Sequence, residues 1–236
     1  MPSVDLARRA QWIVAAATAI AIAAAFRYPG GTALDTTTSG YSPARNFLSD
    51  LGMTVAYNHE PNRAGAAFFV VSLLLLVVGL GGVVAVVARF LAGDARSRLW
   101  ARLAAVALLA ACVAFGGVAV TPENRVMALH IGFTRWAWRI VPAVALCLGF
   151  ASHPNARLRQ RAALAWFGTA LLLGIYAMLL SWGPTVTRPD GLVVQVIAQK
   201  AATVVVVASL LIAVREIDRA HTEDGSAGAS SIARAG

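Results

Sequence analysis

Residues 191–214 read GLVVQVIAQKAATVVVVASLLIAV, and this stretch decides the fold. At about 1.5 Å of rise per residue it is long enough to cross a hydrocarbon core roughly 30 Å thick. Its polar residues are few: Gln195, Gln199, Lys200, Thr203 and Ser209. Lys200 is the chain's single lysine, about 15 Å into the span counted from Asp190. A charge held at that depth costs on the order of 3 kcal/mol or more unless it faces a partner, so Lys200 marks a site or a structural pairing.

Working outward, five further apolar segments have the same character: residues 11–26, 64–91, 100–120, 126–150 and 162–182. The 236-residue chain is 58% hydrophobic and 13% charged, which no soluble core of this size accommodates. The expected class is therefore all-α: a polytopic integral membrane protein of six transmembrane helices. One membrane domain spans residues 1–216, and a Gly/Ser-containing tail, 217–236, reads as disordered and cytoplasmic. The first segment also fits a signal peptide, with Arg8 and Arg9 before it and Ala23, Ala24 and Ala25 as a small-residue cleavage site. Extended to Tyr28, it reaches spanning length.

Arginines set the orientation. With the amino terminus inside, twelve fall in inner segments, including Arg89, Arg96, Arg98, Arg102, Arg157, Arg159 and Arg161. Five (Arg27, Arg45, Arg63, Arg125 and Arg188) fall outside. Both termini are then cytoplasmic, in a multi-pass protein of the plasma membrane. The net charge of +9 does not point to nucleic acid, because the arginines are scattered at span ends without a basic tract. Cys112 and Cys147 lie at different depths and read as packing residues, not a disulfide.

The first outer loop, about 27–63, has room for structure. Its start, 29–40, reads as irregular. Ser42 can cap a short helix, Pro43 fits its first position and Gly52 can end it. On such a helix Arg45, Asn46, Ser49 and Asp50 form a polar stripe, opposite Phe47, Leu48 and Leu51. Two more polar sets face the same end or the membrane interior. One is the Thr121-Pro122-Glu123-Asn124 turn with His130, Thr134, Arg135 and Arg139 after it; the other is Gln195, Gln199 and Lys200.

Arg135, Arg139 and Lys200 lie near mid-depth, and no Asp or Glu accompanies them within the spans. Unpaired buried cations call for an anion such as a phosphate, a lipid headgroup or a carboxylate. The expected ligand-binding set is thus Arg45, Asn46, Ser49, Arg135, Arg139, Gln199 and Lys200, with Asp50, Glu123 and His130 as acid–base groups. Plainer roles compete: Arg139 snorkelling to headgroups, Arg135 paired with Asp50, and His130 hydrogen-bonded in the interior. No metal or cofactor is expected, since no span carries a second histidine at metal-ligand spacing.

The element from Asn46 to Gly52, Asn-Phe-Leu-Ser-Asp-Leu-Gly, resembles the signature of the prokaryotic membrane family called domain of unknown function 998. Thr121-Pro122-Glu123 followed by His130 agrees with it, as does Gln199-Lys200, where the family tends to carry Glu or Gln before Arg. The resemblance covers about residues 15–214. It implies a six-span fold and a distant likeness to eukaryotic six-span proteins of lipid remodelling and autophagy. It implies no particular reaction.

Two readings lead: an enzyme acting on an outer-leaflet amphiphile, and a protein that binds or transports a lipid or anionic solute without chemistry. An accessory subunit is a third. A Schiff-base chromophore protein is disfavoured by six spans and the missing counter-ion. The expectation is an outward-facing polar pocket whose partner is a membrane lipid or anionic amphiphile.

Overall fold

The computed structural model describes the backbone of residues 2–155 and 160–235. Six helices carry the chain: α1 (Pro2–Arg27), α2 (Arg63–Ala92), α3 (Arg98–Val120), α4 (Glu123–Ser152), α5 (Gln160–Trp182) and α6 (Pro189–Ala235). Each contains one of the expected apolar segments, and all six are long and apolar enough to cross a membrane. Arg157 and Arg159 lie outside the described residues. The α6 helix continues past Ile217, through the segment read from its composition as an irregular tail. Alanine, glutamate and arginine there favour helix, whereas the earlier expectation weighed the Gly/Ser content.

The helices follow one another around the bundle: α1 packs on α2, α2 on α3, α3 on α4, α4 on α5 and α5 on α6, and α6 also packs back against α2. Lipid tails are as apolar as the helix faces, so close approach and interhelical hydrogen bonds hold such a bundle together. Gly79 shows the first: a Cβ there would sit 2.8 Å from Val14 Cγ2 and 3.1 Å from the Ala10 carbonyl oxygen of α1. Ser72 shows the second, its hydroxyl donating to the Ala17 carbonyl at 2.7 Å. Thr169 and Ser209 hydroxyls meet at 2.6 Å between α5 and α6. Trp138 fills the middle of the bundle, edge-on to Phe115 at 5.6 Å and to Tyr176 at 4.8 Å.

The α1–α2 connection departs from the expected capped helix. It opens with a hairpin of β1 (Gly30–Thr32) and β2 (Asp35–Ser39). Gly31 adopts φ +80° there, and its bare Cα lies against the Tyr57 and Asn58 backbone. One turn at Ser42–Asn46 and a 3₁₀ turn, Leu48–Gly52, follow in place of an α-helix. The reason is local: Asn46 and Asp50 side chains capture backbone groups that a helix would use. Asn46 Oδ1 accepts from the Ser42 N–H at 2.9 Å, and Asp50 Oδ2 accepts from the Phe47 N–H at 3.0 Å. The loop is packed as core, with Leu51 and Ala56 buried against Ala24, Tyr28, Phe69 and Val118.

Candidate functional site

The loop is fastened to three helices at one end of the bundle. Gln199 Oε1 of α6 accepts from the Leu48 N–H at 2.8 Å, and Lys200 Nζ donates to the Asn46 carbonyl at 2.6 Å. At the α3–α4 turn, Asn124 Oδ1 accepts from the Thr54 N–H while Asn124 Nδ2 and Arg125 Nε donate to the Thr54 hydroxyl. At the start of α2, Asn62 Nδ2 donates to the Leu51 and Met53 carbonyls. The three sequence segments singled out as polar therefore converge. They do so through different atoms from those expected.

Asn46 and Asp50 form the loop's interior and line neither of the chambers described below. Both are buried, and Asn46 Nδ2 donates to Asp50 Oδ2 at 2.9 Å and to the Gly31 carbonyl at 3.0 Å. Burial, reinforced by the Glu123 charge, pushes the Asp50 carboxyl up to about 8, against the opposing pull of Asn46, Phe47 and Lys200. Lys200 makes no ion pair within 4 Å with Asp50; its ammonium rests on the Asn46 carbonyl and 5.4 Å from the Tyr41 ring centre. Tyr41 completes this knot by donating its hydroxyl to the Asn46 carbonyl at 3.1 Å. Burial raises the Tyr41 phenol, which keeps it a donor. Arg45 stays exposed on the loop surface, away from both chambers described next.

Beside this knot lies a polar chamber of about 390 Å³ lined by Ser49, Glu123, His130, Thr134, Arg135, Ser181, Gln195 and Gln199, with Phe47, Leu180 and the 183–186 turn closing its sides. Val126, at φ −137° and ψ 51°, breaks the start of α4, and past this break the Thr121 carbonyl meets His130 Nδ1 at 2.6 Å. A carbonyl only accepts, so that contact places a hydrogen on Nδ1. Nε2 lies 3.9 Å from Glu123 Oε2. Arg139 does not line the chamber; its guanidinium donates to the Ser181 hydroxyl at 3.1 Å, supporting one of the lining residues.

Three buried side-chain atoms without a hydrogen-bond partner belong to residues of this chamber: His130 Nε2, Thr134 Oγ1 and Gln195 Oε1. Buried polar atoms left unpaired are costly, and three of them belong to residues of this one chamber. A second, apolar chamber of about 170 Å³ runs between α2, α3, α4 and α6, walled by residues such as Phe69, Leu73, Val84, Phe115 and Trp138. Ser49, Thr134 and Gln199 line both chambers, so polar space and apolar space adjoin there.

Of the residues singled out from sequence, Ser49, Glu123, His130, Arg135 and Gln199 thus meet around the polar chamber. Asn46, Asp50 and Lys200 hold the loop, Arg139 acts through Ser181, and Arg45 joins neither group. Reading the sequence for a site missed Ser181, a lone serine near a span end that nothing in the pattern distinguishes. It also passed over Tyr41, and it singled out Gln195 as a polar residue in an apolar run without placing it in the ligand-binding set. No family model, curated protein or solved structure matches this chain. Six apolar helices define it as a multi-pass membrane protein, and the site must be read from its own geometry.

Proposed function

We propose that this protein holds an anionic amphiphile, the headgroup in the polar chamber and the start of the chain in the apolar one. The observation that carries the reading is the shared lining at Ser49, Thr134 and Gln199, because a ligand with one polar and one apolar end is the kind that fills both spaces. Arg135 supplies the positive charge at the chamber, and His130 Nε2, Thr134 Oγ1 and Gln195 Oε1 supply unpaired polar atoms. The arginine distribution orients the loop end outward with both termini in the cytoplasm, and the plasma membrane is the corresponding location. Kinship with the domain of unknown function 998 belongs to the same proposal. It rests on the Asn46–Gly52 element, on Thr121, Glu123 and His130, and on Gln199-Lys200, all gathered at this end.

Glu123 and His130 are the pair that would act on a bound headgroup if the protein modifies its ligand. One observation favours holding over turnover: His130 is 3% exposed, so bulk water hardly reaches it as a reactant. Mass spectrometry of the gently solubilised protein identifies what co-purifies. Titration with dodecyl phosphate against neutral dodecyl maltoside tests the charge preference. We expect the phosphate to be preferred, and Arg135→Ala to weaken it about 10- to 100-fold, the loss of one charge-assisted contact. Equal binding of the two amphiphiles, or phosphate binding unchanged in Arg135→Ala, would overturn the proposal.

A further inference from the structure

The apolar chamber has a second neighbour. On the far side of the bundle wall, a groove between α2 and α3 is lined by Val77, Gly81, Leu108 and Cys112, and the same four residues line the apolar chamber. The groove and the chamber are therefore separated by a layer one residue thick. Its weakest point is Gly81. That glycine has no side chain, and a Cβ built there would meet only Cys112 Sγ, at 3.4 Å. Its neighbours in α2 serve a different contact: Cβ atoms at Gly79 and Gly82 would meet Val14 and Ala10 of α1. Close packing on α1 thus accounts for Gly79 and Gly82 and leaves Gly81 unexplained.

Size supplies the second half of the argument. A cavity of about 150 Å³ accommodates a benzene ring, some six carbons. At about 170 Å³ the apolar chamber holds little more than that. A membrane amphiphile with a chain of sixteen carbons overfills it, and the excess must lie outside it. The loop closes one end, where Leu48 and Ser49 line the chamber, and Trp138 stands on the α4 side. The α2–α3 seam is where an apolar groove already lies on the other side.

We propose that the α2–α3 seam at Gly81 and Cys112 is a lateral portal through which the chain of a long-chain anionic amphiphile passes from the apolar chamber into the groove. The proposal rests on the amphiphile-binding reading above and adds a chain-length class: the seam admits chains longer than the chamber can enclose. Hexyl phosphate fits inside the chamber; hexadecyl phosphate needs the seam. A side chain larger than methyl at position 81 blocks the seam without touching the polar chamber, whose lining lies on the loop and on α4 to α6.

Binding of both phosphates is measured in one detergent for wild type, Gly81→Ala and Gly81→Leu, so that the solvent reference cancels between variants. We expect Gly81→Leu, which also narrows the chamber, to weaken hexadecyl phosphate at least tenfold more than it weakens hexyl phosphate, with Gly81→Ala near wild type for both. Equal loss for both chain lengths, or loss for neither, overturns the portal. Wild-type protein that binds neither phosphate overturns the amphiphile reading itself, a separable result. A readout independent of any bulky variant uses Cys112 in a Cys147→Ala background. Hexadecyl phosphate is expected to slow N-ethylmaleimide modification of Cys112 several-fold more than hexyl phosphate does, and equal rates with the two ligands would again refute the seam.

Discussion

Asn46→Ala removes the centre of the loop's fastening. The asparagine is fully buried and makes three side-chain hydrogen bonds: from the Ser42 N–H at 2.9 Å, to the Gly31 carbonyl at 3.0 Å and to Asp50 Oδ2 at 2.9 Å. At a net worth of about 1 kcal/mol each, their loss amounts to about 3 kcal/mol. Ser42 is half-buried and can recover a partner from water. The Gly31 carbonyl and Asp50 are buried and cannot, which keeps the cost near that sum. About 3 kcal/mol corresponds to roughly a hundredfold rise in local opening, since each 1.4 kcal/mol is a factor of ten. Hydrogen exchange read by mass spectrometry on the solubilised protein measures it directly. Amides in segment 41–52 are expected to exchange about a hundred times faster, while those in the middle of α2 and α4 keep their protection. Exchange in 41–52 within threefold of wild type would refute the fastening, and an equal rise across all six helices would mean that Asn46 supports the whole bundle and not the loop.

Asp50 predicts a pH dependence. Its carboxyl is raised to about 8 from a usual value near 4, so the folded loop binds the proton more tightly than an unfolded one and is favoured at low pH. That contribution is complete below about pH 4 and declines up to about pH 8. Loop opening, corrected for intrinsic exchange chemistry, should therefore increase across this window, and Asp50→Asn should flatten the profile; a wild-type profile already flat would contradict the assignment. Lys200→Met removes a charge-assisted hydrogen bond to Asn46 worth about 1.5–3 kcal/mol, so segment 41–52 should exchange roughly 10- to 100-fold faster; unchanged exchange there would count against that bond. At the other end of the bundle, Glu216 joins Arg161 and Arg219 at 2.9 Å each. Since Arg161 is mostly exposed, Glu216→Ala should cost about 1–3 kcal/mol, seen as a thermal midpoint several degrees lower, and an unmoved midpoint would show the cluster to be inert.

The helices were legible because a twenty-residue apolar run has few alternatives: the backbone must satisfy itself where water is absent. The loop was not. Its hairpin is short and polar, and a two-stranded ribbon carries no hydrophobic alternation to announce it. The stripe reading of Arg45, Asn46, Ser49 and Asp50 placed four side chains on one helical face. The real backbone turns between them, so that Asn46 and Asp50 go inward, Ser49 faces the chambers and Arg45 faces outward. Polar residues inside apolar spans were a sound signal for Thr134, Gln195 and Gln199, each of which lines the polar chamber. The sequence could not say which of two jobs each residue has, holding the loop or facing a ligand, because adjacent positions divide them: Gln199 faces the chambers while anchoring Leu48, and Lys200 only anchors.

The case of Lys200 changes which residue would select the proposed ligand. A buried cation needs negative charge or its equivalent, and reading the sequence supplied that need with a bound anion. The structure supplies it with the Asn46 carbonyl and the Tyr41 ring, neutral groups whose electron-rich faces meet the ammonium. Under the proposed function, charge preference then falls to Arg135 at the chamber, backed by Arg139 through Ser181. Lys200 sets instead where Leu48 and Ser49 stand, and those residues form the chamber wall. The two cations should therefore separate by experiment. Arg135→Ala erases the preference for dodecyl phosphate over dodecyl maltoside and leaves loop exchange unchanged. Lys200→Met loosens the loop and weakens both amphiphiles alike. If Lys200→Met instead erased the charge preference with the loop still protected, the ammonium would have to leave Asn46 for the ligand, and the division between fastening and recognition would be wrong.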